Sequence, residues 1–187
     1  KWQQRSGIGA GSATLDWISL GSASNEEIDA LIEKGISFND VFEKTQPLPG
    51  EQDQCPAEYA FINTSVGPEC LKLRPGMATA ASRLETRRYA AMLGGTTEFR
   101  KMEGITANED GSVLYLAMSS IGKGMEDDHP KSDRGGNNDI RLFKNKCGAV
   151  YALDLDRNYV AKNIYSILEG KPVTVKAGAA NDDAAYD

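Results

Sequence analysis

An all-β chain carrying helical insertions is the fold class this sequence predicts, on three observations. The second half holds short β-rich runs, "SVLYLAMS" (112–119) and "CGAVYALDLD" (147–156), with "KPVTV" (171–175) a weaker third. Turn chemistry at Asn108-Glu109-Asp110-Gly111 feeds the first of them. Helical punctuation is confined to the first half. Strand, polar loop, strand, with few helices, fits a β-propeller best among sheet arrays, although no clean internal repeat marks out blades.

The first helix is "GSASNEEIDALIEKG" (21–35). Ser24 or Asn25 serves as N-cap, Glu26 and Glu27 meet the positive helix end, and Gly35 terminates it. Residues 37–76 are rich in Pro, Gly and polar side chains without clear periodicity, and read as a long irregular excursion. "RPGMATAASRLETRRYAAMLGG" (74–95) reads as a second helix closed by Gly94-Gly95. On a wheel of ~100° per residue centred on Leu84, Met77, Ala80, Ala81, Ala91 and Met92 make one apolar stripe within ~80°. Arg88 lies inside that stripe. A guanidinium there needs an anionic partner or a route to water. It is one half of a structural ion pair, a stem lying on the core with its head in water, or a group that holds an active-site loop. The whole of 1–187 is thus expected to be a portion of one domain, with a helical or irregular insertion at about 22–95.

The 187 residues carry a net charge of −6, which argues against a nucleic-acid backbone as partner, since such binders present basic surfaces. No apolar run approaches the ~20 residues of a membrane span. The start, "KWQQRSG", has no apolar core of a signal peptide. Cys55, Cys70 and Cys147 form no CxxC pair, which argues against structural zinc. Cys55 and Cys70 flank a polar stretch, and spacing leaves both a disulfide and two free thiols open.

The residues that could carry chemistry cluster around "FRKMEGI" (99–105). In a propeller, a carboxylate just before an innermost strand faces the central channel, and Glu103, followed by Gly104, suits that place. Oxygen donors favour hard cations. Lys101, two residues upstream, shares its side in extended chain and would suit an anionic substrate, phosphate first. A plain surface ion pair of Lys101 with Glu103 explains the spacing equally. In "GKGMEDDHPKSDRGGNNDIRL" (122–142), Asp139 is the preferred ligand candidate, and Asp127, Asp128 and Asp133 read as a solvated acidic loop. "DLDRN" (154–158) lacks the Gly and distal Glu of a calcium loop and reads as a strand end and turn. "GIGAGS" (7–12) is a weak phosphate cradle, His129 has no nucleophile motif near it, and Asn63-Thr64-Ser65 matches a glycosylation sequon.

The runs "LETRRYAAMLGGTTEFRKMEGIT", "LYLAMSSIGKGMEDD", "GGNNDIRL" and "NKCGAVYALDLD" together resemble the PhoX-type alkaline phosphatases. That resemblance implies a six-bladed β-propeller that hydrolyses phosphomonoesters with calcium and ferric iron in its channel. It also implies an exported protein, periplasmic or secreted. Glu103 matches the family's metal-binding glutamate in [RK]-x-E-G, and Lys101 stands where many members have a phosphate-contacting arginine. Lysine keeps that charge without the bidentate fork. Arg88 joins Lys101 as a candidate substrate-binding cation, and Asp139 joins Glu103 as a candidate metal ligand, both placed by local chemistry alone. The family's Trp- and Glu-rich segment with its cysteine, its His-Glu pair and an "NPDN"-like segment have no counterpart here, and Cys147 does not replace that cysteine. The rest of the same enzyme chain is therefore the expected partner. A calcium-dependent lactonase and a non-catalytic binding propeller are the alternatives.

Overall fold

A computed structural model of the chain describes residues 11–51, 53–64, 66–133 and 138–172. Two antiparallel sheets and a few short helices make up these residues. The larger sheet contains β1 (Ser12–Thr14), β5 (Met102–Ala107), β6 (Val113–Met118), β7 (Ala149–Asp154) and β8 (Asn163–Glu169), in the order β1-β8-β7-β6-β5. The smaller contains β2 (Phe42–Thr45), β3 (Ala60–Thr64) and β4 (Gly67–Leu73), in the order β2-β4-β3. Neither closes on itself, so each keeps two edge strands.

Alternation builds the larger sheet's core. Leu114 opposite Leu153, Leu116 opposite Tyr151 and Met118 opposite Ala149 put apolar side chains of β6 and β7 on one face. The long β6–β7 connection folds back over that face, where its Ile121, Met125, Ile140 and Leu142 join the same core. Each such side chain contributes roughly 1.5–3 kcal/mol on leaving water. The Asn108 side chain accepts from the Val113 amide and closes the β5–β6 turn that the sequence predicts. At the other end of β7, the Asp156 side chain accepts from the amides of Asn158 and Val160, so "DLDRN" is a strand end and turn as expected. Lys171 and Pro172 lie outside any strand, and the remainder of "KPVTV" lies outside the described residues, as do Gly7 to Ala10 of "GIGAGS".

The first helix follows its signals. α1 (Asn25–Glu33) has Ser24 as N-cap in a complete capping box with Glu27, and Gly35 at φ 66° ends it. A further turn of helix, α2 (Phe38–Val41), leads into β2. The expected second helix is instead two, α3 (Ala78–Leu84) and α4 (Thr86–Met92), broken at Glu85 with φ −131° and ψ 39°. The Thr86 hydroxyl donates to the Ser82 carbonyl at 2.6 Å, the back-bonding that bends helices. The apolar stripe survives the break. Ala80 and Ala81 are buried with Val41, Phe42, Ile62 and Leu71, and Met77, Ala91 and Met92 pack against them.

The region expected to be irregular, 37–76, holds the whole smaller sheet. Its periodicity is hidden because β4 buries Glu69, Cys70 and Leu71 in succession, and Pro68 is its second residue, opposite Asn63. Cys55 and Cys70 form a disulfide across 15 residues, with Cα atoms 5.6 Å apart, which resolves the alternatives left open by spacing. Cys147 is an exposed thiol. Replacing Cys55 and Cys70 by serine is expected to cost about 2–3 kcal/mol in urea unfolding, since a loop of this length then closes without a cross-link. A loss below ~0.5 kcal/mol would contradict that placement. Among the described residues, no helix is long and apolar enough to cross a membrane.

Candidate functional site

The site grows from the run 96–101 that leads into β5. Lys101 has φ 55°, a left-handed conformation that non-glycine residues adopt at a cost. That turn brings the chain into the edge strand β5, all six of whose residues are exposed. Met102 pairs with Met118 and Gly104 with Ala117, so Glu103 is the extra residue of a bulge. Its carboxylate lies 3.2 Å from Lys101 Nζ, and each side chain is about half exposed. A hydrogen bond from Ser119, and then Lys101, hold the Glu103 carboxyl below the usual range.

Beside this pair opens a cleft of about 440 Å³ between the end of β3, the 97–101 run and the β6–β7 connection. Four cations line it: Arg100 and Lys101 from one wall, Lys123 and Lys131 from the other. Lys123 also sits at positive φ, 54°, in a 3-10 turn (Lys123–Met125). Asn63 ties the walls together, its side-chain amide donating to the Ser132 carbonyl at 3.1 Å while Thr97 donates to the Asn63 carbonyl at 2.8 Å. Gly124 lets the walls meet, because a Cβ there would come within 3.0 Å of Glu98 Cα. With Asn63 buried and bonded, its amide is not presented for glycosylation.

Glu98 is the one carboxylate among the described residues that line this cleft, and it is 4% exposed. It accepts from the backbone amides of Asp139 and Ile140 at 3.0 and 3.3 Å, and from the Thr96 hydroxyl at 2.9 Å. Burial nevertheless pushes its pKa up to about 7, with Asp139 and Asp133 adding to the rise against those hydrogen bonds. Asp133, expected in a solvated loop, is buried instead. Its Oδ2 accepts from the His129 amide at 2.6 Å, and desolvation raises its pKa. Asp127 and Asp128 are exposed as expected, both accepting from Asn138.

The other two predicted site residues are elsewhere. Arg88 of α4 donates to Glu69 of β4 at 2.7 Å and to Glu85 at 2.7 Å, with its guanidinium 4.9 Å over the Phe38 ring. Of the readings its place on the apolar stripe left open, this is the structural ion pair rather than a substrate-binding cation. It does not line the cationic cleft. Asp139 lines a different, apolar cavity. Calcium takes six to eight oxygens, yet no three His, Cys, Asp or Glu side chains among the described residues come together to hold an ion. Asp139 lines the apolar cavity and Glu103 lines two other pockets, and the described residues alone do not fit a calcium or iron site.

Arg100, Lys123 and Lys131 escaped sequence reasoning. The two lysines bracket "GMEDDHP", so the loop reads as acidic, whereas none of its acids, Glu126, Asp127 and Asp128, lines the cleft and both lysines do. The available signal was the pair of basic residues at 100–101 beside a glycine-flanked lysine at 123. No family model matches this chain, and no curated protein and no solved structure is similar to it.

Proposed function

We propose that this chain supplies the phosphate-binding part of a phosphomonoester hydrolase. The observation that carries this reading is the cleft itself: four cations line it in a protein whose net charge is −6, against Glu98, whose charge burial reduces, and the exposed Glu103 that pairs with Lys101. A phosphate monoester carries about −1.5 to −2 charges and three acceptor oxygens, the complement of such a lining. Two lysines in left-handed backbone add support, because strain of this kind collects at binding sites. The resemblance of "EFRKMEGI" to PhoX-type alkaline phosphatases supplies the reaction class, and the consecutive antiparallel strands β5 to β8 are compatible with one propeller blade. Calcium and ferric iron belong to this reading as cofactors that the described residues do not hold alone, and phosphate capture by the four cations does not require them. The Cys55–Cys70 bridge favours a periplasmic or secreted setting.

Turnover of p-nitrophenyl phosphate, with inorganic phosphate as competitor, tests the reading. Lys101→Ala and Lys131→Ala are each expected to raise KM roughly tenfold, about the loss of one charge-assisted hydrogen bond. Unchanged KM in both variants rejects the cleft as phosphate site. Hydrolysis of a lactone but not of the phosphate ester would favour the lactonase alternative.

A further inference from the structure

The cationic cleft shares a wall with a second cavity of contrasting chemistry. This cavity, about 430 Å³, is lined by apolar side chains that include Leu15, Trp17, Ile18, Phe99, Met102 and Leu116. The run 96–102 divides the two: Thr97, Arg100 and Lys101 line the cleft, Thr96 and Met102 line the apolar cavity, and Phe99 lines both. The apolar cavity has no lysine or arginine on its lining, and its two charged residues are Asp16 and Asp139. An anionic group is therefore repelled from it and drawn to the neighbouring cleft. Three large apolar residues of the cavity stand in water, Trp17 at 67%, Met102 at 52% and Ile18 at 42% exposure. An apolar group lying on them would remove that surface from solvent.

We infer that the ligand is the phosphate monoester of an apolar alcohol, its phosphate in the cationic cleft and its alkyl or aryl body in the cavity on the other side of Phe99. This deepens the phosphate reading above and rests on it. A sugar phosphate would satisfy the cleft but gain nothing from the cavity, because its hydroxyls find few polar partners there. An alkyl chain gains with each methylene it buries.

Titration calorimetry of the protein with inorganic phosphate and with methyl, butyl and octyl phosphate, all at one pH and salt concentration, reads the inference directly. Affinity is expected to rise about two- to fourfold per added methylene until the cavity is filled. Met102→Gln changes a half-exposed side chain on an edge strand. It is expected to lower the ratio of octyl phosphate to inorganic phosphate affinity about fivefold. A series that binds with the same affinity at every chain length overturns the apolar-ester inference and leaves the phosphate site standing. Failure of inorganic phosphate and every ester to bind overturns both.

Discussion

Glu69→Ala is expected to lower the free energy of unfolding by about 3 kcal/mol, measured in urea at neutral pH. Glu69 is 4% exposed and accepts from Lys44 Nζ at 2.7 Å and from Arg88 Nε at 2.7 Å. Burial alone would raise its pKa, but the hydrogen bonds from Arg88 and Lys44 outweigh this and hold it below the ordinary glutamate value. Removing the carboxylate leaves two cations without their shared anion. Lys44 is 45% exposed and turns to water, whereas Arg88 is 24% exposed and keeps Glu85 as its one carboxylate partner among the described residues, beside the Phe38 ring. That retained partner puts the loss at the lower end of the ~3–5 kcal/mol typical for breaking a buried pair. The pH dependence has a definite direction. A carboxyl with a depressed folded pKa contributes stability above its unfolded pKa, and that contribution is lost as pH falls through the folded value. The double change Glu69→Met, Arg88→Leu should recover most of the loss, because it removes both charges and fills the same volume. A Glu69→Ala protein as stable as the parent would mean that the network does not hold β4 to α4.

The same residues show what could be read in advance. Arg88 was legible as a cation on an apolar stripe, which left an ion pair, a route to water or a substrate contact open; the structure gives the ion pair. Which carboxylate was not legible, since Glu69 sits 19 residues away in a strand with no alternating pattern. Capping chemistry made α1 readable almost to the residue, while Thr86 broke the next helix through a side-chain bond invisible to helical periodicity. β6 and β7 were legible as continuous apolar runs. β8, "NIYSILE", was missed because only Ile164 of it is fully buried, and β5 was expected only as a strand after Glu103, without bounds, because an edge strand with six exposed residues leaves little pattern. The site divides the same way. Lys101 and Glu103 are neighbours in sequence and in space, so spacing found their pair. The cleft joins residues 60 positions apart, and only tertiary structure brings Asn63 to Lys123 and Lys131.

Glu98→Gln tests the electrostatics of that cleft, and its expected effect depends on pH. With the folded pKa raised to about 7 by burial, and an unfolded value near 4.5, the folded protein keeps a proton in the interval between them that the unfolded chain has released. Below about pH 4.5 the carboxyl is protonated in both states and adds no cost. As pH rises from there to about 7, the native state progressively loses stability, on the order of 3 kcal/mol in all, at ~1.4 kcal/mol per pKa unit. Above 7 both states are ionised and the cost stays constant. Glutamine has no such titration. Its carbonyl can still accept from the amides of Asp139 or Ile140, and its NH2 can donate to the Thr96 hydroxyl. The stability difference, variant minus parent, is therefore expected to grow from about pH 5 to 7 and to level off above it. A constant difference across that range removes Glu98 from the account. The same ionisation acts on anions, because an ionised Glu98 places a negative charge on the wall shared with Arg100 and Lys101. Sulfate, whose own charge is fixed over this range, should bind the parent more weakly at pH 8 than at pH 6 and bind Glu98→Gln equally at both.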